Sequence, residues 1–229
     1  MKFLSALIFF LFFFGFVCQA QKKKTFKINP GERIIDVIPQ KELYTYKEFT
    51  DGTVYLKENK FSKVKMNYNS LIGEMEFINE KGDTLSIADA DNINSIVINA
   101  DTFYYDKGYL KLIANNGELK LANKQYFEFT NRQRIGAFGE LSNASIATYD
   151  AVSSGNYYKN IVAKEIITLS KYSVFYFGDR FNHFMIANRS NLLEMCNKKQ
   201  DRVKEYLKDN KVDFDKKEAL EAMLIFLKK

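Results

Sequence analysis

The chain is poor in the side chains that most often build metal and nucleophilic sites. Of its 229 residues, one is histidine, two are cysteine and none is tryptophan. A zinc site needs several Cys and His ligands at short, regular spacing, and the sequence contains no such spacing. No Gly-Lys-Ser/Thr sequence for phosphate binding follows Gly136 and Gly139, the nearest approach to a glycine-rich loop. We therefore identify no catalytic residue, no metal ligand and no cofactor site, and we lean against an enzyme.

One of the two cysteines lies in an N-terminal segment that is typical of a secretory signal peptide. Lys2 precedes an apolar run from Phe3 to Val17, and the small residue Ala20 follows. This arrangement predicts export with cleavage near Ala20, which leaves a periplasmic or secreted protein. A lipid anchor on Cys18 is the alternative, although the two residues before Cys18 are bulkier than those that usually precede a lipidated cysteine.

The mature chain keeps a single thiol, Cys196. One thiol excludes an internal disulfide even in an oxidising compartment, so a hydrophobic core must stabilise the fold. Cys196 ends the apolar stretch NLLEMC. We interpret it as a small buried hydrophobe, with an intermolecular disulfide as the alternative.

Proline is also scarce, and both prolines fall in a lead-in over residues 21–42. The lead-in contains a short apolar patch, Ile34 to Ile38, which is either one strand or a docking arm. Residues 43–130 then alternate between polar and apolar side chains with period two, as half-buried strands do. Glycine-containing turn signals separate the runs: Asp51-Gly52, Asn79 to Gly82, Asp106 to Gly108 and Asn115 to Gly117. The pattern predicts an antiparallel meander of about eight to ten short strands.

Two glutamates in the stretch GEMEFI are the first candidates for a carboxylate pair. Glu74 and Glu76 alternate with Met75 and Phe77, so the two acids share one face of a strand. No histidine or third acid accompanies them. We interpret the pair as part of a solvated sheet face rather than an acid–base or metal site.

The alternation ends in a Gly/Ser/Ala-rich segment, residues 131–158, which predicts a loop or linker. Residues 159–229 predict a second module of two strands, at 165–169 and 172–177, followed by about three helices. Ser190 or Asn188 is placed to cap the first helix. The last helix carries Leu220, Met223, Leu224 and Leu227 at helical spacing, which indicates a core-facing stripe rather than a membrane anchor. The expected fold class is α+β.

The excess of positive charge lies in this second module. Residues 22–158 are electrically balanced, whereas residues 159–229 hold 15 basic and 10 acidic side chains. Export and the interspersed acids disfavour nucleic acid as a partner. Peripheral contact between the basic helices and a membrane surface stays open as an alternative.

The segment Phe177 to Phe184, FGDRFNHF, gathers the most chemical groups in the second module. It holds Asp179, Arg180, Asn182 and His183, the single histidine. A lone histidine needs an orienting acid and a nucleophile to act as a base, and the sequence singles out no nucleophile. A polar turn is the structural interpretation, and contact with a ligand or a partner through these four residues is the functional one.

Several stretches in order, including DGTVYL, MNYNSLIGEMEFINEKGDTLSI, DTFYYDKGYLKLI and YFGDRFNHF, resemble a family of uncharacterised exported proteins of Bacteroidota-type Gram-negative bacteria. The resemblance covers nearly all of the mature chain. It implies a cell-envelope or secreted protein and supplies no catalytic residues.

Three hypotheses follow for function. The first is a non-enzymatic envelope protein that binds a partner, either another envelope protein or a surface component, or has a structural role. The second is a small-ligand binder or enzyme that uses the Phe177 to Phe184 segment. The third is peripheral membrane association through the basic C-terminal helices.

Overall fold

A computed structural model of the chain describes residues 23–143, except 137 and 139, and residues 162–228. The expected signal peptide and residues 144–158 of the expected loop lie outside the described residues. The strands are β1 Lys24–Ile28, β2 Thr50–Leu56, β3 Phe61–Asn69, β4 Glu74–Ile78, β5 Thr84–Ser86, β6 Ile93–Ile98, β7 Asp101–Tyr105, β8 Tyr109–Asn115, β9 Lys120–Ile135, β10 Leu141–Asn143, β11 Ile166–Gly178 and β12 Phe184–Ile186. The helices are α1 Ile34–Val37, α2 Gln40–Leu43, α3 Arg189–Met195, α4 Gln200–Asp209 and α5 Lys217–Lys228.

All twelve strands belong to one antiparallel sheet, which together with the helices confirms the α+β class. The strand order is β1-β11-β9-β8-β7-β6-β2-β3-β4-β5, with β10 beside β9 and β12 beside β11. The sheet is not a strict meander, because β6 pairs with β2 instead of β5. Three of the four predicted turns connect strands, but Asp51-Gly52 lies inside β2. A Cβ on Gly52 would approach Met66 Sδ to 2.7 Å, so this glycine permits close packing rather than a turn.

The sheet continues across the boundary that we expected near residue 130. Asn131 to Ile135 extend β9, whereas the sequence indicated a loop there. The two strands expected at 165–169 and 172–177 form one strand, β11, which pairs with both β9 and β1. A register shift between Thr168 and Leu169 lets this long strand continue past the irregularity.

The sheet curls, so that strands far apart in the strand order meet across its concave face. The Tyr68 hydroxyl on β3 donates a 2.8 Å hydrogen bond to the backbone carbonyl of Gln125 on β9. Four strands separate β3 from β9 in the order. The Tyr68 ring also contacts Phe103 and Tyr109, with centroids 6.2 and 6.1 Å apart. An interior lined by side chains results.

The C-terminal helices pack on one part of the sheet. Leu220, Met223, Leu224 and Leu227 of α5 are buried against sheet residues such as Phe177, which confirms the predicted core-facing stripe. Helix α3 begins at Asn188, whose side chain accepts a hydrogen bond from the Asn191 backbone N–H, as one of the two expected caps. The half-buried Cys196 packs against the same core.

The lead-in closes another part of the interior. Its apolar patch forms the short helix α1, so the strand interpretation was wrong and the docking interpretation is the closer one. Ile34, Ile38 and Leu43 are buried with Ile167 and Leu169 of β11. This packing fixes α2, and with it Glu42, over the concave face of the sheet.

Candidate functional site

The Phe177 to Phe184 segment forms a tight turn between β11 and β12. Asp179 Oδ1 accepts hydrogen bonds from the backbone N–H groups of Phe181 (2.8 Å) and His183 (2.9 Å). Asn182 adopts φ +68°, a conformation that Asn tolerates better than most residues. Asp179 and Asn182 therefore define the backbone of this turn.

The remaining polar groups of the turn point outward. The His183 side chain is 80% exposed, and its Nδ1 lies 3.4 Å from Asp179 Oδ2. The Arg180 guanidinium lies 4.6 Å from the centre of the Phe181 ring, which is itself exposed. Asp179, Arg180, Asn182 and His183 are thus neighbours on an exposed turn, and none of them lines the cavities described below.

The interpretation of Glu74 and Glu76 as a solvated pair is wrong. Glu76 is fully buried, and its Oε2 accepts hydrogen bonds from Tyr44 Oη (2.9 Å) and Asn69 Nδ2 (3.2 Å). The chain just after α2 runs beside β3, with Tyr44 bridged to Asn69, and covers this face of the sheet. Glu74 is half-buried. Both faces of β4 are therefore covered, and the alternation of β4 does not mark a solvated side.

The curled sheet encloses a cavity of about 370 Å³, which we call the interior cavity. Residues from six strands, from α2 and from the chain just after α2 line it: Lys24, Lys41, Glu42, Tyr44, Thr45, Tyr68, Phe103, Tyr109, Lys111, Asn123, Gln125 and Lys171. A smaller set that includes Lys24, Glu42, Gln125 and Lys171 also lines an adjoining cavity of about 440 Å³. The interior cavity combines four aromatic rings with four lysines and one carboxylate.

Glu42 holds two of these lysines. Its Oε1 lies 2.7 Å from Lys24 Nζ, and its Oε2 lies 3.5 Å from Lys171 Nζ. Lys171 Nζ also donates a 2.7 Å hydrogen bond to the Glu42 carbonyl. Burial alone would raise the pKa of Glu42, but the hydrogen bond from Lys24 and the charges of both lysines outweigh it and lower that pKa.

The shift of Lys171 requires a separate explanation. Burial lowers the pKa of Lys171, and the charge of Glu42 only partly opposes this effect. An ion pair alone would raise the pKa of a lysine, so the lowered pKa of Lys171 is the opposite of what its pairing with Glu42 would produce. Lys171 is thus both paired with Glu42 and partly desolvated, and the cost of desolvating its ammonium group outweighs the attraction of the carboxylate.

A third lysine is held on the opposite wall. Lys111 Nζ lies 2.6 Å from Asp101 Oδ2, which also accepts a 2.7 Å hydrogen bond from the Tyr46 hydroxyl. Burial would raise the pKa of Asp101, but the hydrogen bonds from Lys111 and Tyr46 outweigh it and lower that pKa. The Lys111 side chain keeps a third of its surface exposed.

Two polar groups beside the cavity lack partners. Tyr109 is 2% exposed, and its hydroxyl makes no hydrogen bond in the described structure. The side-chain amide of Gln125 also makes none with the residues described, although its backbone carbonyl binds Tyr68. By contrast, Asn123 is engaged by Ser173 and the Val174 carbonyl. A buried hydroxyl without a partner costs about 1–3 kcal/mol, so a ligand or water that satisfied it would be favoured.

Sequence reasoning missed the interior cavity. Its lysines come from β1, α2, β8 and β11, which are far apart in sequence and are brought together only by strand pairing and by the packing of the lead-in on the sheet. One sequence signal for a buried lysine was present. Alternation puts Lys111 on the same strand face as Tyr109, a bulky aromatic residue that a sheet normally buries.

Comparison with known proteins leaves the site to be interpreted from its own chemistry. No protein-family model, no curated protein and no solved structure matches the chain. Over residues 23–143 and 162–228, with the gaps given above, no three His, Cys, Asp or Glu side chains come together to hold a metal ion. In the same ranges, no helix has the length and apolar character required to cross a membrane.

Proposed function

We propose that the chain is an exported, non-enzymatic binding protein whose interior cavity takes a small anionic ligand with an aromatic or apolar body. The observation that carries this proposal is the lining, in which four lysines, Lys24, Lys41, Lys111 and Lys171, outnumber the two carboxylates that pair with them, Glu42 in the lining and Asp101 beside Lys111. Such an excess of cations in a partly desolvated space favours an anion, because Coulomb attraction grows as the effective dielectric constant falls.

The body of the ligand is inferred from the remaining lining. The Tyr68 ring contacts the rings of Phe103 and Tyr109, and the three form an apolar wall. The volume of about 370 Å³ lies at the small end of ordinary ligand sites, about 300–1,000 Å³. A ligand of one or two rings with one acidic group fits both the volume and the chemistry.

Binding is a better account of this cavity than catalysis. The lining has no histidine or cysteine, and its one carboxylate, Glu42, is engaged by Lys24 and Lys171. A nucleophile–base pair of the kind that acyl or phosphoryl transfer needs is not found among these lining residues.

The proposal of export depends on the N-terminal segment alone. Mass spectrometry of the secreted form tests it, with a mature chain that begins at Gln21 as the expected result.

Titration calorimetry with a matched pair of probes tests ligand binding. Naphthalene-2-sulfonate carries a negative charge and naphthalene-2-sulfonamide does not, while the ring system is the same. We expect saturable binding of the sulfonate, binding of the sulfonamide at least about tenfold weaker, and loss of the difference in Lys111→Met. Lys63→Met, on an exposed part of β3, is the matched control and should bind as the unaltered protein does. Equal affinity for both probes, or no binding of either, contradicts the proposal.

A second candidate function is contact with an envelope partner through the Asp179 to His183 turn. The observation in its favour is an exposed aromatic side chain, Phe181, on a turn whose backbone Asp179 fixes. Aromatic residues are enriched at the centres of protein interfaces. A photo-crosslinking residue at His183 should capture a specific protein in the native envelope, whereas the same residue at Lys63 should not. Equal capture at both positions would contradict this candidate.

Membrane contact through the C-terminal helices stays a prediction, which salt-sensitive binding to anionic vesicles would test.

A further inference from the structure

A second and larger cavity lies on the other side of the Tyr68–Gln125 contact. Its volume is about 790 Å³, and we call it the turn cavity because the β3–β4 and β7–β8 turns border it. The lining residues are Ser70 to Glu74, Tyr105, Lys107, Gly108, Lys124, Tyr126 to Phe129, Leu169 and Tyr176. None of these residues lines the interior cavity.

The charges around the turn cavity balance, unlike those of the interior cavity. Glu74 and Glu128 stand against Lys107 and Lys124. Lys124 Nζ is also committed to a 2.9 Å hydrogen bond with the Lys107 carbonyl. A ligand with net charge of either sign therefore gains little from long-range attraction in this cavity.

Two polar groups in the lining are without partners. The Glu74 carboxyl is half-buried and makes no hydrogen bond or ion pair with the residues described. Burial, and then the charge of Glu76, raise the pKa of Glu74, and its carboxyl oxygens can accept hydrogen bonds from ligand hydroxyls. The Ser70 hydroxyl is buried and also has no hydrogen-bond partner in the part of the chain that the structure describes.

Aromatic rings supply much of the apolar part of the lining, beside Leu71, Ile72 and Leu169. Tyr105, Tyr126, Phe127 and Tyr176 all border the cavity. Tyr126 stacks on Tyr172, with centroids 5.5 Å apart and planes inclined by 14°, so its ring is held in a fixed orientation. A fixed flat ring buries the C–H face of a ligand with little loss of side-chain entropy.

We propose that the turn cavity is a binding site for a neutral oligosaccharide. Balanced charge disfavours an ionic ligand, unpartnered carboxyl and hydroxyl groups match ligand hydroxyls, and aromatic rings match the C–H faces of sugar rings. The volume accommodates more than a single small ring. This site is separate from the anion site and does not rest on it.

A panel of four neutral trisaccharides tests this proposal: maltotriose, cellotriose, mannotriose and chitotriose. Each is titrated into the full mature chain by calorimetry and by ¹H–¹⁵N chemical-shift mapping. We expect saturable binding of at least one sugar, with the largest shifts at Gly73, Gly108 and Tyr126. Glu74→Ala and Tyr126→Ala should each weaken that binding about tenfold, the effect of one lost hydrogen-bonded or stacked contact.

Lys63→Met, on an exposed part of β3, is the control and should leave sugar affinity unchanged. The thermal unfolding of Tyr126→Ala is compared with that of the unaltered chain, because loss of the ring can also unfold the protein. If Tyr126→Ala is destabilised, the binding test uses Glu74→Ala instead. No binding of any of the four sugars, or binding that neither variant weakens, overturns the proposal. The sugar titrations and their variants, Glu74→Ala and Tyr126→Ala, do not involve residues of the interior cavity, so failure of either site is seen independently of the other.

Discussion

The Tyr68 hydroxyl and the Gln125 backbone carbonyl, 2.8 Å apart, join two strands that are not neighbours in the sheet. This contact lies between the two cavities. Tyr68 and Gln125 line the interior cavity, whereas Lys124 and Tyr126, on either side of Gln125, line the turn cavity. One cross-sheet contact thus both holds the curl and divides its interior.

Removing this hydroxyl should weaken the curl. We expect Tyr68→Phe to lower the free energy of unfolding by about 1 kcal/mol, because the Gln125 carbonyl loses a buried donor. Urea denaturation measures the change. Tyr55→Phe is the control, since Tyr55 is exposed, and it should change stability by less than about 0.5 kcal/mol. An equal effect of the two substitutions would show that the Tyr68 bond does not contribute.

The Glu42 ion pairs should make stability depend on pH. The pKa of folded Glu42 is lowered, so its contribution is fully present above the unfolded value of about 4.3 and is lost as the pH falls through the folded value. Glu42→Gln should therefore be less stable than the unaltered protein at pH 7. That difference should shrink as the pH is lowered from about 4.5 toward 3.

Denaturant titrations across this pH range measure the Glu42 effect. Glu58→Gln is the control, because Glu58 pairs with Lys60 at an exposed position. A stability difference between Glu42→Gln and the unaltered chain that stayed constant from pH 7 to pH 3 would contradict the ion-pair account.

The packing of α5 on the sheet predicts opposite outcomes for two adjacent residues. Leu224 is 2% exposed and Ile225 is 66% exposed. Leu224→Ala should cost about 2–5 kcal/mol through a cavity in the core, and Ile225→Ala should change stability by less than about 0.5 kcal/mol. Thermal or urea unfolding decides the matter. A large loss with Ile225→Ala would mean that this side chain is covered in solution.

In the exposed turn, Asp179 is expected to stabilise the fold, whereas the exposed side chains are expected to contact a partner. Asp179→Ala removes the acceptor of two backbone N–H groups, so we expect a loss of about 1–2 kcal/mol in unfolding free energy. His183→Ala should leave stability unchanged, and Phe181→Ala should reduce partner capture by the photo-crosslinking residue at position 183. A stability loss with His183→Ala of the same size would make the histidine structural instead.

Local patterns predicted much of the fold. Three glycine-containing turns, the Asn188 cap and the stripe of α5 depend on residues close in sequence, and the structure contains all of them. The prediction of a turn at Asp51-Gly52 was wrong, because a glycine that permits close strand packing cannot be distinguished in sequence from a turn glycine.

The long-range features could not be predicted in this way. Glu76 alternates like a solvated residue, but the chain around Tyr44 covers it from far away in sequence. Lys24 and Lys171 are brought together by the pairing of β1 with β11, which no local pattern specifies. The candidate sites therefore depended on how the sheet curls, not on any motif.

The most direct test of the central claim is where naphthalene-2-sulfonate binds. Intermolecular nuclear Overhauser effects between the naphthyl protons and assigned aromatic protons report this in solution. The account predicts effects to Tyr68, Phe103 and Tyr109 of the interior cavity. Effects confined to exposed rings such as Phe61 and Phe181 would contradict it, since the anion would then bind the surface and not the curled interior.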